Sequence, residues 1–237
     1  MIKHALKEFL PDRAVQTRIW RGPFRGARIW LNPRDSLRKI FGLYENELNR
    51  WLEETLRRVV RVIDVGANDG YFTFGCAAAF RRLGKGGEII AFEAQPRYVA
   101  LLRRTIAAQI RTAISVHLEI VQAFVGKELK QGMTTLDSVR WTLSDPAERT
   151  HTLIKIDVEG AELDVIEGGR SWLQPSNFFV IEVHKKEFLS ELKQIFAKSG
   201  HALIQINQRP LPFLGREDRA EKNWWLVSNL QQIRNTV

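Results

Sequence analysis

The stretch Val62-Ile63-Asp64-Val65-Gly66-Ala67-Asn68-Asp69-Gly70 decides the fold of this chain. A short β-branched run ends in an acid and leads into a turn with glycines at positions 66 and 70, and an apolar segment of helical length follows at 71–80. A strand, a glycine turn and a helix in succession are typical of the opening unit of nucleotide-binding α/β domains. We therefore expect an α/β fold whose first helix after this strand begins at the turn.

The spacing of the glycine turn also indicates what it would bind. The motif is Asp-x-Gly-x-x-x-Gly, whereas dinucleotide-binding proteins carry Gly-x-Gly-x-x-Gly. Asp64 would lie at the tip of the strand, where its carboxylate would repel a pyrophosphate. A carboxylate there suits a cationic or hydroxyl-rich ligand such as S-adenosylmethionine, which carries a sulfonium and an ammonium group. The pattern also fits a buried strand whose glycines serve packing, and the motif alone leaves both interpretations open.

Two later strand ends carry charge in the same way. Glu93 ends the apolar run 88–93 and follows Gly70 by 23 positions, close to the spacing of about 20 residues at which an acid meets ribose hydroxyls in such folds. Lys155 and Asp157 lie where another apolar run enters a glycine turn. Burying these two charges in a core strand would be costly without partners. The carboxyl ends of strands, by contrast, are where open α/β sheets bind ligands.

Several segments together resemble the FkbM-type S-adenosylmethionine-dependent methyltransferases, over about residues 40 to 184. The segments that carry the resemblance are Ile63-Asp64-Val65-Gly66-Ala67-Asn68 with Gly70, Phe92-Glu93-Ala94 with Pro96, Thr134-Thr135-Leu136-Asp137, and Ile154-Lys155-Ile156-Asp157-Val158-Glu159-Gly160-Ala161-Glu162, with Gly42-Leu43-Tyr44-Glu45 as a lead-in. The resemblance implies O-methylation of a hydroxyl on a sugar, glycan or related metabolite. It also implies S-adenosyl-L-methionine as the cofactor.

The order of predicted elements supports the same fold class. We expect strands at 59–65, 88–93, 116–122, 152–157, 178–184, 201–207 and 223–229, with helices at 70–83, 96–109, 161–173 and 186–199. Strands separated by helix-length segments indicate a parallel sheet with right-handed crossovers. The loop before the last strand lacks helical periodicity, which permits an antiparallel hairpin. The resemblance implies a Rossmann-like class I methyltransferase fold, with seven strands, an antiparallel last strand and helices on both faces.

The amino-terminal segment differs from the rest in charge. We expect residues 1–58 to form a basic cap, with a short hairpin within 14–33 and a helix at 44–58, and residues 59–237 to form the methyltransferase domain. Residues 1–62 hold 14 Lys and Arg against 7 Asp and Glu, and so carry +7 of the net charge of +9. This imbalance indicates an anionic partner. A charged sugar, a lipid-linked glycan, a nucleic acid or simply a solvated surface would each be consistent with it.

Composition restricts the compartment and the chemistry. No run approaches the roughly 18 apolar residues of a membrane span. The first eight residues contain no signal-peptide core, so we expect a cytoplasmic protein without a transmembrane segment. The single cysteine, Cys76, excludes an internal disulfide, and its alanine-rich surroundings favour a packing role over a nucleophilic one.

Cofactor contacts are expected along the first three strand ends. Glu93 would accept hydrogen bonds from both ribose hydroxyls, since a carboxylate offers two oxygens. Gln122 and Ala123 fall where an adenine edge would lie. The full set expected to contact the cofactor is Asp64, Gly66, Ala67, Asn68, Gly70, Tyr71, Glu93, Ala94, Gln122 and Ala123.

Catalytic groups are expected at the next two strand ends. Asp157 and Glu159 lie two residues apart, as do Glu182 and His184, so each pair would share a side if its strand continued that far. Histidine is best matched to removing a hydroxyl proton at neutral pH. We therefore predict His184 as the general base, with Asp157 or Glu159 orienting it or the substrate. An ordinary strand-end histidine is the alternative.

Acceptor contacts and metal binding are less specified. We expect three side chains at the acceptor: Glu45, Lys155 and Glu182. Two acids and a histidine are plausible ligands for a divalent metal, but spacing does not establish a site, and we assign no metal ligands.

Two other functions compete with O-methylation. The basic amino terminus would suit a nucleic-acid methyltransferase. Against it, no Asn-Pro-Pro-Tyr/Phe loop follows the fourth strand of the domain, and no cysteine is placed to attack a pyrimidine ring. A scaffold that binds S-adenosylmethionine without catalysis is the other alternative. Cofactor binding without turnover on any acceptor would favour the scaffold.

Overall fold

The computed structural model describes residues 10–109, 114–143, 145, 147–208, 210–211 and 223–233. The first eight residues, on which the cytoplasmic expectation rests, lie outside this part. The strands, in chain order, are β1 (Val15–Arg18), β2 (Arg28–Leu31), β3 (Arg61–Val65), β4 (Gly87–Phe92), β5 (Val116–Val121), β6 (Phe124–Val125), β7 (Met133–Thr134), β8 (Thr152–Ile156), β9 (Phe178–Val183), β10 (Leu203–Ile206) and β11 (Trp224–Ser228). The helices are α1 (Pro33–Ile40), α2 (Asn49–Leu56), α3 (Tyr71–Arg82), α4 (Pro96–Ala107), α5 (Glu162–Glu167), α6 (Phe188–Lys198) and α7 (Leu230–Ile233), with 3-10 turns at Asn46–Leu48, Leu136–Ser138 and Arg170–Trp172.

Seven strands form the main sheet, in the order β10-β11-β9-β8-β3-β4-β5. The neighbours from β9 to β5 pair in parallel, whereas β11 runs antiparallel to both β9 and β10. The predicted seven-stranded sheet with a reversed last strand is confirmed. From β3 the chain proceeds to β4 and β5 on one side, and later from β8 to β9 on the other. The order therefore switches between β3 and β8, and a binding crevice is expected at the carboxyl ends of these strands.

Each face of the sheet is covered by its own hydrophobic cluster. Val62 and Leu153 pack with α3 and with the amino-terminal segment, whereas Ile63 and Ile154 pack on the opposite face with α5 and α6. This arrangement confirms helices on both faces. Because side chains alternate along a strand, Asp64 and Lys155 point to the α3 face, and their Cα atoms are partners in the β3–β8 register.

The amino-terminal segment packs closely on the α3 face. β1 and β2 form the predicted antiparallel hairpin, and the Phe24 ring from its turn fills the space that a Cβ on Gly75 would occupy at 2.3 Å. The Trp51 indole N–H donates a 2.9 Å hydrogen bond to the carbonyl of Ser228. Residues 19–56 thus contribute to the same hydrophobic cluster as α3 and the sheet. The division at residue 58 stays a prediction.

The seven main strands begin and end within two residues of their predicted limits, as do the helices predicted at 70–83, 96–109 and 186–199, whereas two other predicted helices differ more. The helix predicted over 161–173 ends at Glu167 and resumes as a 3-10 turn. Gly168 and Gly169 interrupt it, and a Cβ on Gly168 would lie 2.1 Å from the carbonyl oxygen of Gly126. The segment predicted as one helix over 44–58 is a 3-10 turn followed by α2. Among the described residues, no helix has the length and apolar character needed to cross a membrane.

Candidate active site

The backbone N–H groups of the glycine turn after β3 donate hydrogen bonds within the protein. The N–H groups of Gly66 and Ala67 both donate to the carbonyl of Phe92 at 3.0 Å, and that of Asn68 donates to the Glu93 carboxylate at 2.8 Å. These donors are therefore occupied within the protein, and the turn does not offer them as a pyrophosphate cradle. The glycines also serve packing, since a Cβ on Gly66 would lie 2.0 Å from the carbonyl oxygen of Asp157 and one on Gly70 would lie 2.6 Å from the rings and methyls around it.

A cleft of about 340 Å³ opens at the carboxyl ends of β3, β4 and β8. Five of the predicted cofactor residues line it: Gly66, Asn68, Glu93, Ala94 and Ala123. Asp157 and Glu159 line the same cleft, together with residues of β6 and β7 that the sequence analysis did not single out. The crevice expected from the strand order is therefore present, and it joins the predicted cofactor residues to two of the predicted catalytic residues.

Glu93 has a carboxylate placed to receive hydroxyl groups. Its side chain is only 7% exposed, yet it lines the cleft. One oxygen accepts the N–H of Asn68 and the other accepts that of Gln95, both at 2.8 Å. A carboxylate oxygen has two lone-pair sites, so each oxygen can still accept one ribose hydroxyl. The chemistry of this donor and acceptor set fits the ribose of S-adenosylmethionine.

The other predicted cofactor residues do not line the cleft. They are Asp64, Ala67, Gly70, Tyr71 and Gln122. Asp64 is fully buried, and Gln122 is exposed after β5. The Tyr71 ring points away from the cleft toward the amino-terminal segment, where it meets Phe24 and Tyr44 edge to face at 5.1 and 5.5 Å. Direct contact of Asp64 and Tyr71 side chains with the cofactor stays a prediction that this geometry does not favour.

Lys155 connects the glycine turn to Asp157. Its ammonium lies 3.0 Å from an Asp157 carboxylate oxygen, 3.2 Å from the carbonyl oxygen of Gly66 and 3.5 Å from an Asp64 oxygen. Burial alone would lower the pKa of Lys155, but the carboxylates of Asp157, Asp64 and Glu45 outweigh it and raise that pKa. The surrounding carboxylates therefore favour the charged form of Lys155 in a buried network. The role of Lys155 beside the acceptor stays a prediction.

Two further buried acids, Asp64 and Glu45, act on Lys155. The Thr73 hydroxyl donates to Asp64 at 2.5 Å, and burial raises the pKa of the Asp64 carboxyl against the opposing effects of Lys155 and Thr73. Glu45 is buried with a positive φ of 51°, and its charge acts on Lys155. Lys155 and Asp157, whose burial in a core strand would be costly without partners, thus have each other as ion-pair partners.

His184 is held by a buried acid that the sequence analysis quoted but did not assign. Its Nδ1 lies 2.6 Å from Oε1 of Glu162, which is fully buried at the start of α5. Its Nε2 lies 3.8 Å from an Asp157 oxygen. The hydrogen bond to Glu162 raises the pKa of His184, burial opposes it, and Glu182 and Asp157 raise it further. The signal that could have identified Glu162 is its place after the glycine turn, since the helix that follows a strand end starts beside the next strand end.

Three candidate side chains meet beside this histidine. Ligand atoms of Asp157, Glu182 and His184 lie within 4.8 Å of one another. Lys155, at 3.0 Å, lowers the pKa of Asp157 despite its burial, and a Glu182 oxygen accepts from Asn223 at 3.1 Å. The set is chemically able to hold a divalent cation, and metal binding stays open. Glu159 is different, because β8 ends at Ile156 and Glu159 is exposed at the cleft instead of joining the cluster.

Residues 64–206 match the Methyltransferase FkbM domain. The chain belongs to this family. The match covers the glycine turn, Glu93, the charged end of β8 and His184, so the family resemblance is confirmed. The protein is an S-adenosylmethionine-dependent methyltransferase, and the cleft beside Glu93 is consistent with that cofactor.

Solved structures similar to this FkbM-family chain support its fold. The methyltransferase FkbM from Methylobacillus flagellatus KT has a TM-score of 0.52 at 15% identity, over 73% of this chain and 44% of that one. The putative methyltransferase yhhF from Escherichia coli has a TM-score of 0.52 at 13% identity, over 91% of this chain and 98% of that one. This chain thus spans less than half of that FkbM structure. A search of curated proteins gave no significant match.

Proposed function

We propose that this protein transfers a methyl group from S-adenosylmethionine to a hydroxyl of a sugar, glycan or related metabolite. The observation that carries the proposal is the Glu162–His184 pair, whose 2.6 Å contact leaves Nε2 of the imidazole directed toward Asp157 at the cleft. A neutral hydroxyl is a weak nucleophile and needs a base as the new bond forms. A histidine held by a buried carboxylate is suited to that step.

Side chains of the site would act at the cofactor ribose, at the proton of the acceptor hydroxyl and at a hydrogen bond to the acceptor. When bound, S-adenosylmethionine supplies an electrophilic methyl group. Glu93 holds the ribose hydroxyls. His184 accepts the acceptor's hydroxyl proton at Nε2, and Glu162 stabilises the resulting imidazolium through Nδ1–H. Asp157 accepts a hydrogen bond from the same or a neighbouring hydroxyl, because Lys155 keeps it ionised.

Glu182, Glu159 and Glu45 extend the acceptor side of the proposal. Glu182 is buried beside Asp157 and His184, and it would bind a second hydroxyl. Glu159 lines the cleft and is exposed, so it is open to an acceptor larger than a single ring. Glu45 acts on the acceptor through Lys155, whose charge it helps maintain. A sugar, with several adjacent hydroxyls, matches a site rich in carboxylate acceptors.

Calorimetric titration of the full chain tests this proposal at the cofactor. S-adenosylmethionine and S-adenosylhomocysteine should bind saturably and NAD should not, because the turn amides that would hold a pyrophosphate are occupied. Glu93→Gln should weaken binding about tenfold, the loss expected when a hydrogen bond to a charged group becomes neutral. Glu119→Gln, on β5 and outside the cleft lining, is the matched control. Cofactor binding without turnover in a screen of sugars and glycans would overturn the acceptor class and favour a scaffold.

A further inference from the structure

A second concave region shares no lining residue with the cofactor cleft. Its volume is about 680 Å³, and it is formed by the β1–β2 hairpin, the second half of α3 and Gln109, two residues after α4 ends. Five arginines line it: Arg18, Arg25, Arg28, Arg81 and Arg82. We call it the arginine groove. Helix α3 begins at the glycine turn, and Ala78, Arg81 and Arg82 in its second half line the groove. The helix rises about 15 Å from Tyr71 to Arg81, so the groove is separate from the active site.

The arginine groove has much more positive charge than its surroundings neutralise. None of the described residues that line it is acidic. The nearest acid that makes an ion pair with it is Glu53, whose carboxylate lies 3.7 Å from the Arg25 guanidinium. Burial lowers the pKa of Arg81, and burial together with Arg25 lowers that of Arg82. The groove therefore concentrates five cations whose mutual repulsion Glu53 relieves only in part.

The strand register increases this repulsion. Arg18 and Arg28 are directly opposite each other in the β1–β2 pairing, and both side chains are exposed on the same face. Like charges directly opposite on neighbouring strands are destabilising. Within the described part of the chain, neither guanidinium has a hydrogen-bond or ion-pair partner. A bound anion would remove the penalty.

The walls of the arginine groove are fixed while some of its donors stay unused. Arg82 donates to the carbonyls of Pro23 and Arg25 at 2.8 and 3.0 Å, which holds the hairpin turn to α3. Arg81 donates to Gln109 at 3.2 Å, but its buried Nε has no hydrogen-bond partner among the described residues. A buried donor without a partner costs free energy. Arg82 thus fixes the shape of the groove, and the exposed Arg18 and Arg28 supply guanidinium donors at its surface.

We propose that the arginine groove binds a phosphate-bearing anion with at least two negative charges, of the diphosphate type. The guanidinium fork matches phosphate oxygens in a bidentate manner, and several arginines around one cavity favour a multiply charged group over a single carboxylate. A free diphosphate ester and the phosphates of a lipid surface share this chemistry. The site differs from the active site, and its test does not depend on methyl transfer.

Titration of the full chain with inorganic pyrophosphate at low salt tests the proposal. Saturable binding that weakens as salt rises is expected, and the Arg18→Gln/Arg28→Gln double variant should lose about tenfold or more in affinity. Arg170→Gln, an exposed arginine outside the groove, should bind like the wild type. Because the double variant removes a repulsive pair, its melting temperature without ligand should not fall, and pyrophosphate should raise that temperature only in the wild type and the control.

Two further arms identify the source of the phosphate. Sedimentation of the wild type, but not of the Arg18→Gln/Arg28→Gln variant, with vesicles of phosphatidic acid would assign the groove to a lipid phosphate. Pyrophosphate binding without such sedimentation would assign it to a free diphosphate ester. The proposal is overturned if pyrophosphate does not bind at low salt or binds the double variant as tightly as the wild type. Much tighter binding of single-stranded RNA through the same arginines would also overturn it, in favour of a nucleic-acid surface.

Discussion

Replacing Glu162 with glutamine should slow methyl transfer while leaving the fold intact. Oε1 of Glu162 accepts from the N–H groups of Gly160 and His184 at 3.2 and 3.3 Å and contacts Nδ1 of His184 at 2.6 Å. Glutamine has the same shape and retains an oxygen for these contacts. The substitution therefore removes the negative charge beside the imidazole. It also places the amide NH2 where Oε2 of Glu162 is buried without a hydrogen-bond partner among the described residues.

The size of the effect follows from that single contact. A hydrogen bond to a charged group contributes about 1.5–3 kcal/mol, and it is strongest when His184 carries the proton taken from the acceptor. Losing about 2 kcal/mol of that stabilisation corresponds to a decrease of roughly 30-fold in kcat. The KM for S-adenosylmethionine should stay the same, because Glu162 does not line the cofactor cleft.

The pH profile separates a positioning role from a structural one. The hydrogen bond to Glu162 raises the pKa of His184 in the wild type. A general base works when neutral, so kcat should rise with pH until it passes that pKa. In Glu162→Gln the pKa falls, and the plateau should be reached at lower pH, though at a lower rate. Glu167→Gln, an exposed acid at the end of the same helix, should leave both rate and profile unchanged. An unchanged profile in Glu162→Gln would refute the role of His184 as the base.

Three further results are expected. Lys155→Met should lower the free energy of unfolding in urea by about 3–5 kcal/mol, because it leaves Asp64 and Asp157 as unpaired acids. Adding Asp64→Asn should restore part of the lost stability, and equal stability of Lys155→Met and the wild type would contradict the network. Gly66→Ala should lower the melting temperature measured by circular dichroism, since the φ of Gly66 is +81° and the new Cβ would lie 2.0 Å from the Asp157 carbonyl oxygen. A melting temperature equal to that of the wild type would show that the turn can move away from β8. Dialysis against EDTA should leave kcat unchanged if His184 acts as a free base, whereas loss of activity restored by Mn²⁺ would make the same atoms metal ligands.

Much of the sheet could be predicted because its strands are continuous apolar runs bounded by glycine or charge. Strands buried on both faces have that pattern, and their ends are marked by residues that cannot be buried without partners. The helix after β8 was less predictable. Its apolar spacing continues to Trp172, but Gly168 has to lie against the carbonyl of Gly126, a contact between segments about 40 residues apart in sequence that no local pattern reveals.

The sequence predicted the placement of those candidate site residues that lie at strand ends. It did not predict the placement of residues whose position depends on the face that the side chain takes. Glu93, Asp157 and His184 each follow or end a parallel strand, so they meet at one edge of the sheet. Asp64 is also near a strand end, but side-chain alternation along β3 turns it toward α3, where the Thr73 hydroxyl donates to it. Tyr71 is drawn to the amino-terminal segment by aromatic contacts. Both placements are set by tertiary packing and by residues far away in sequence.

The charged end of β8 connects the proposed cofactor side of the cleft to the proposed acceptor side. The Lys155 ammonium binds Asp157, which faces His184, and also the carbonyl of Gly66, which lines the cofactor cleft. A shift of the glycine turn away from β8 would break the bond to Gly66 and expose a buried cation, which is costly. Methyl transfer needs the donor carbon and the acceptor oxygen within about 3–3.5 Å of each other, so a rigid link between the two sides has a direct use. Lys155, the residue before the last one of β8, is unfavourable for a hydrophobic core. Its presence there is therefore consistent with positioning two reactants against each other.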